Sequence, residues 1–291
     1  MKPNLVIYHA NCTDGFGAAF AMWLKLKDTA DYVPLQYGYK PHELPDVKGR
    51  KVWIVDFSLP LEDMERVINE AEHTTWYDHH KTAFEMWGVT SQHVNVTIKK
   101  RIILDNDRSG ALITYEEEDP ELLFDHQFIF DLLDDYDRWQ FKFPETKAFN
   151  KGLWSLTPWS FEQWDQLDVA KTIVRGQVLL EQHEKHVEQI IKSSARECAI
   201  ALPNTVTPIP GMAANCPAFF SSDVGHHLAV NSGTYGLTFS IGHDPLEKIK
   251  CSLRSNGDYD VSAIAKQFGG GGHKNAAGFT ATVFDILRWI A

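Results

Sequence analysis

Three short apolar runs in the first 80 residues each stop at an acid or an imidazole. Leu5-Val6-Ile7-Tyr8 ends in His9, with Asn11, Cys12 and Asp14 just beyond. Val52-Trp53-Ile54-Val55 ends in Asp56. Thr74-Thr75-Trp76-Tyr77 ends in Asp78-His79-His80. Runs of this length read as buried strands, and the segments between them carry helical spacing. Phe16, Phe20, Trp23 and Leu24 recur at helical intervals over Gly15–Leu26, and Leu61–Glu72 reads as a second helix. Strand–helix alternation favours a mainly parallel, doubly wound sheet. In such a sheet the strand ends meet along one edge, and ligands bind there. The three polar termini then converge without help from a long loop.

Further elements extend this pattern. Tyr32–Tyr37 and His93–Ile98 read as strands, and Ser109–Glu118 and Glu121–Asp134 as helices. Trp139–Trp164 is aromatic-rich and irregular, broken by Pro144 and Pro158. It is read mainly as packing, with base stacking as the functional alternative. A proline-free amphipathic stretch from about Val169 to Cys198 reads as a connecting helix. Behind it, Tyr235–Ile241 and Lys248–Arg254 pair as antiparallel strands, followed by a helix over Val261–Phe268, a glycine run and a strand over Ala277–Thr282. The fold class is α/β: a doubly wound, mainly parallel N-terminal sheet over residues 1–190, and a smaller α+β domain over 191–291, joined by a linker helix.

Composition limits the functions open to this chain. Its 291 residues are 44% hydrophobic, enough for sizeable cores, and its formal net charge is −11. That excess of acid opposes tight binding of long duplex nucleic acid but leaves room for a small phosphorylated substrate. Lys99-Lys100-Arg101 is read as a solvated basic loop. The four cysteines form no C-x-x-C pair, no segment approaches a membrane span, and no leader precedes the first strand. A reducing, cytoplasmic setting is expected.

The clustered acids and imidazoles suit a pair of divalent cations. Two-metal phosphoester hydrolysis uses a bridging carboxylate with His and Asp completing each site, and the ions acidify a shared water. Asp56 is placed as the bridge, His9 on one ion, and Asp14 and His79 on the other. A later acid is needed, and Asp135 is chosen from Asp134-Asp135-Tyr136-Asp137. In the C-terminal part, Gly269-Gly270-Gly271-Gly272-His273 lets backbone N–H groups approach an anion, with His273, Arg254 and Lys274 adding donors. Gly-Lys-Ser/Thr is absent, so this is not a Walker A loop. His226-His227, His183 and His186 are read as surface or helix-face residues.

These segments resemble the motifs of the DHH phosphoesterase superfamily. His9-Ala-Asn-Cys-Thr-Asp14-Gly15 looks like its first motif, Val55-Asp56-Phe-Ser58 its second, Asp78-His79-His80 its third, and Asp135-Tyr-Asp137-Arg138-Trp139 its fourth. Ser252-Leu253-Arg254 followed by Gly269–Gly272, His273, Lys274, Asn275 and Gly278 resembles the signature of the DHH-associated C-terminal domain. The resemblance implies His9, Asp14, Asp56, His79 and Asp135 as ligands of two divalent cations, manganese first and magnesium second. It places Asp78 as a supporting residue and His80 facing the substrate phosphate as proton donor. Arg254, Gly271, Gly272, His273 and Asn275 fall to substrate binding. Cys12 stands where the family commonly has a second acid, as outer contact, thiolate ligand or small packing residue.

The implied activity is a dinuclear-metal phosphodiesterase or phosphatase. It would hydrolyse phosphodiester or phosphomonoester bonds of short oligonucleotides, in the manner of an oligoribonuclease, of cyclic or linear dinucleotides, or of nucleoside bisphosphates. The alternatives are a pyrophosphatase or exopolyphosphatase and a non-catalytic nucleotide sensor. Neither duplex nucleic acid nor membrane is expected as a partner; a homodimer stays open.

Overall fold

A computed structural model describes residues 1–89, 92–118, 124–203, 206–241 and 248–290. The chain divides into two compact units, Met1–Leu180 and Glu181–Ala291. The division falls inside a long helix, whereas the sequence-based boundary was set between 190 and 191.

The first unit is built on a six-stranded sheet of β1 (Asn4–His9), β2 (Ala30–Leu35), β3 (Lys51–Val55), β4 (His73–Asp78), β5 (His93–Val96) and β6 (Lys100–Leu104), in the order β2-β1-β3-β4-β6-β5. Every pairing is parallel except that of the edge strand β5 with β6. Tyr8 is in register with Val55, and Val55 with Tyr77. The next residue of each strand is therefore His9, Asp56 and Asp78, level along one edge. β1 lies between β2 and β3, so the chain leaves it in opposite directions, which marks the switch point of a doubly wound sheet.

Both faces of this sheet are covered, as a parallel sheet requires. Val6, Val55, Tyr77 and Ile103 point to one face, under α1 (Thr13–Leu26), α4 (Gly110–Glu117), α5 (Gln127–Asp137) and α6 (Thr146–Trp154). Leu5, Ile7, Ile54, Trp76 and Ile102 point to the other, under α2 (Leu61–Glu70) and α3 (Lys81–Trp87). The one-residue alternation along each strand explains the near-continuous apolar runs. Helix α1 is favoured by three alanines and capped by the Cys12 side chain, which accepts from the Gly15 N–H at 3.1 Å.

Several expectations change here. Lys100 and Arg101 lie in β6 rather than a loop, and Arg101 pairs with Glu117 at 2.5 Å. Their long stems lie at the start of a strand whose next residues, Ile102–Leu104, are buried. The segment Trp139–Trp164 contains α6 and α7 (Phe161–Asp165), so much of it is helical. The start of the predicted helix over Glu121–Asp134 lies outside the described residues; its remainder is a 3-10 turn over Phe124–His126 followed by α5.

Helix α8 (Val169–Ser194) leads into the second unit, and the connecting helix is shorter than predicted because Arg196–Ile200 forms strand β7. There follow β8 (Ile209–Asn215), α9 (Ser221–Ser232), β9 (Tyr235–Ser240), β10 (Ile249–Ser255), α10 (Val261–Gln267), β11 (Gly271–His273), β12 (Ala276–Ala281) and α11 (Val283–Ile290). The sheet order is β11-β12-β10-β9-β8-β7, antiparallel except for β8 with β9. Its core gathers Leu237, Leu253, Phe279 and Trp289. Among the described residues, no helix is long and apolar enough to cross a membrane.

Candidate metal centre

Asp56 sits at the focus of the first unit's carboxyl edge. Its carboxylate divides between two sets of donors. Oδ1 lies 3.1 Å from Nε2 of His79, and Oδ2 lies 3.7 Å from Nδ1 of His9 and 3.6 Å from Sγ of Cys12. Asp56 and Asn11 both adopt left-handed backbone, with φ of 51° and 61°. Such conformations are costly outside glycine and gather at sites where geometry is imposed by function. Gly110, at the start of α4, makes the approach to Asp56 feasible: a Cβ there would fall 2.4 Å from that of Asp56.

Three groups of side chains bring their donor atoms within 4.8 Å of one another in this unit: Asp14, Asp56 and His79; His9, Cys12 and Asp56; and Asp56, Asp78 and His80. Asp14 is held by the first turn of α4, accepting from the N–H groups of Gly110 at 2.8 Å and Ala111 at 3.1 Å. A helix N-terminus favours a carboxylate in that position. Asp78 is fully buried. It accepts from the backbone N–H of His79 and of His80 and from the Ser58 hydroxyl, and its Oδ1 lies 2.7 Å from Nδ1 of His80. Asp78 therefore fixes the His80 ring.

Asp135 is not among the residues brought together. Its oxygens accept from the N–H groups of Lys142 and Phe143 and from Thr146 Oγ1, closing the turn after α5. Asp137 reaches the cluster instead, with Oδ2 3.5 Å from Nε2 of His79. The two differ by two residues on a helix, about 200° of rotation, so they face opposite ways. Asp14, Asp56 and Asp137, from three separate segments, thus surround one imidazole nitrogen. The sequence signals for Asp137 and Ser58 were their places in the fourth and second motifs; Gly110 had none beyond its neighbours.

The electrostatics of these groups fit divalent cations. Burial raises the pKa of Asp14 well above the ordinary carboxylate value, and the charges of Asp56 and Asp137 add to it. Burial also works against the Asp56 carboxylate, but His79 and His9 outweigh it and hold its pKa well below normal. Burial opposes the His79 imidazolium, yet Asp56, Asp137 and Asp14 raise its pKa strongly. The Cys12 thiol is pushed up by burial and then by Asp56 and Asp14. Asp56 Oδ1 is buried without a well-formed hydrogen bond among the described residues. Clustered carboxylates and imidazoles of this kind suit divalent cations.

In the second unit Arg254 of β10 donates to the Ser252 hydroxyl and Leu253 carbonyl from Nη1, and to the Ser222 hydroxyl from Nη2. Gly271, Gly272 and His273 form β11 against β12. Gly272 has a φ of 140°, and a Cβ would lie 2.5 Å from the Ala276 carbonyl, so packing alone requires glycine there. The Asn275 side-chain amide donates to the Ser255 hydroxyl and the Gly257 carbonyl, bracing the loop after β10.

An α/β chain with acids and imidazoles at the switch point of its parallel sheet, followed by a mixed-sheet unit with a glycine-edged strand, defines a narrow class. Residues 232–286 match the family model described as "DHHA1 domain". Over 297 aligned positions the chain is 30% identical to "Uncharacterized protein R106" of Acanthamoeba polyphaga mimivirus, covering 95% of this chain and 67% of that one. The fold is similar to the solved structure of "pGpG-specific phosphodiesterase - PggH from Vibrio cholrae", with a TM-score of 0.51, 14% identity, and coverage of 99% of this chain and 96% of that one. Residues 232–286 thus carry a DHHA1 domain, and the chain shares the fold of that phosphodiesterase.

Proposed function

We propose that this protein is a divalent-metal-dependent phosphoesterase that hydrolyses phosphodiester or phosphomonoester bonds of small nucleotides. The observation that carries the proposal is the divided carboxylate of Asp56, one oxygen toward Asp14 and His79, the other toward His9 and Cys12. The similar fold of a pGpG-specific phosphodiesterase supports it. In this reading His9, Asp56, Asp14, His79 and Asp137 hold the ions, and Cys12 lies beside the His9 side. Two such cations supply Lewis acidity for a water nucleophile and for charge on the phosphoryl oxygens.

The chain's own residues do the rest. Asp14, tied to α4, and Asp56, set by its strained backbone, hold fixed positions before substrate arrives, so little reorganisation is needed. Asp78 orients His80. Although burial opposes the imidazolium, Asp78 raises the His80 pKa, which keeps a proton available for the leaving oxygen. With Nδ1 engaged by Asp78, Nε2 delivers it. Replacing His80 with Ala should lower kcat on a dinucleotide by about 10²- to 10⁴-fold. The loss should be much smaller on a p-nitrophenyl ester, whose leaving group needs no proton; equal losses would remove His80 from that role.

The test of the activity is a manganese-supplemented screen of dinucleotides, short RNA, nucleoside bisphosphates and pyrophosphate, with Asp56→Ala as control. Mononucleotide release that Asp56→Ala abolishes is the result expected; phosphate release from pyrophosphate alone would replace the nucleotide reading. One observation favours a nucleotide sensor: Cys12 stands where a second acid is common in the first motif. Nucleotide binding with no turnover across the whole panel would establish that alternative. A reducing, cytoplasmic setting fits a chain whose four cysteines are all free.

A further inference from the structure

A cavity of about 780 Å³ opens beside the metal centre, lined entirely by the first unit. Its volume lies within the range of about 300–1,000 Å³ seen for small-molecule sites. Two aromatic groups line it. Tyr37 and Tyr39 follow β2, and Trp154 and Trp159 belong to the end of α6 and the turn after it, with Tyr8 and Phe16 from β1 and α1. Asn11, in the same turn as His9 and Cys12, lines it too. The Tyr37 ring packs edge-on to the His9 imidazole at 5.3 Å and lies 6.1 Å from that of His80, so one wall of the cavity rests directly on two residues of the candidate centre.

The lining chemistry selects the occupant. No lysine or arginine is among the described lining residues, and Glu43 contributes a carboxylate. With no cation and one carboxylate in its lining, the cavity disfavours a phosphate. A flat, uncharged, hydrogen-bonding ring has aromatic faces to stack on and polar groups at Asn11, Gln36 and Glu43 to meet its edge. Trp154 and Trp159 are only partly buried, with ring centroids 4.8 Å apart, whereas Trp164 is fully buried in the core. Core packing therefore accounts for Trp164, while Trp159 packs its other side on that core and Trp154 does not join it; both line the cavity.

We propose that this aromatic cavity is a nucleobase subsite, holding the base of a nucleotide whose phosphate lies at the Asp56 centre. The proposal rests on the phosphoesterase reading for that phosphate and adds what it lacks: a substrate with a base, rather than pyrophosphate or polyphosphate.

The test is calorimetric titration, with manganese present, of a dinucleotide carrying a non-hydrolysable methylphosphonate link and of its abasic analogue. Base stacking on an aromatic side chain contributes about 1–3 kcal/mol. Wild type should therefore prefer the dinucleotide by about tenfold or more. Trp154→Ala and Tyr37→Ala should each bring that preference close to one, and Trp154→Phe should retain most of it. Equal binding of both compounds by wild type, or a preference that survives both alanine variants, would overturn the subsite. Tyr37 is half exposed, so its replacement tests the subsite even where Trp154→Ala lowers stability. Turnover of the ordinary dinucleotide is measured on the same preparations. Turnover without base preference refutes the subsite alone; base preference without turnover supports the subsite and refutes the hydrolase.

Discussion

Asp56 shows how much one residue can depend on its neighbours. Its left-handed backbone, its place at the end of a central strand and the missing side chain of Gly110 together put one oxygen toward each donor set. A methyl group at 110 would collide with that carboxylate, so Gly110→Ala should cut manganese affinity at least about tenfold, as losses around metal ligands commonly do. An unchanged titration would mean that Asp56 need not sit where it does. The acids of α5 make a paired case. Asp137→Asn should weaken manganese binding by a similar factor. Asp135→Asn should leave binding in place and cost about 1–3 kcal/mol of stability, because the Lys142, Phe143 and Thr146 donors lose their charged acceptor. The reverse pattern in titration and urea unfolding would restore Asp135 as the ligand. Sequence alone could not separate these acids: both lie in one motif, and which side of a helix faces the centre depends on how that helix packs.

At the scale of elements, apolar runs ending in His9, Asp56 and Asp78 disclosed three parallel strands, because buried strands leave little ambiguity in composition. Strand β6 stayed hidden behind its own basic start, since Lys100 and Arg101 suggest solvent while Ile102–Leu104 are buried. Strand β8 was obscured by Pro210, and α9 by a polar, histidine-bearing sequence with a weak apolar stripe. The acid ending β6 also shows why strand ends alone do not define ligands: Asp105 accepts from Asp107 N–H, Arg108 and Gln92 and is spent on its own turn. Another acid illegible in sequence is Glu118, after α4. It is buried and receives the Trp53 indole, the Tyr77 hydroxyl and the Lys25 ammonium. It ties two central strands and α1 to α4. Glu118→Ala should destabilise the protein by about 2–4 kcal/mol by leaving buried donors unpaired. Chemical denaturation checks this; a loss below that range would mean that water replaces the carboxylate.

For the whole molecule, the charges gathered around Asp56 couple stability to pH. In EDTA, His79 has a pKa raised well above 6.5, so its contribution is complete below 6.5 and lost as pH rises through the raised value. Asp14, with its raised pKa, acts in the same direction over its own window, since the fold holds its proton longer than the unfolded chain does. Asp56 and Asp78 act oppositely, losing their contribution only as pH falls through their lowered values. The metal-free protein should therefore melt at a lower temperature as pH rises above 6.5, and manganese should restore more stability at the alkaline end. A melting temperature that rises with pH in EDTA would contradict the assigned charges. The aromatic cavity was not readable from the sequence, because Trp154, Trp159 and Trp164 look alike until packing separates them. If the Asp56 carboxylate joins two cation sites, manganese titration followed by electron paramagnetic resonance finds two ions per chain with a spin-coupled spectrum, and Asp56→Asn loses that coupling; a single uncoupled ion in the wild type, or coupling that survives the substitution, shows that Asp56 joins no such pair.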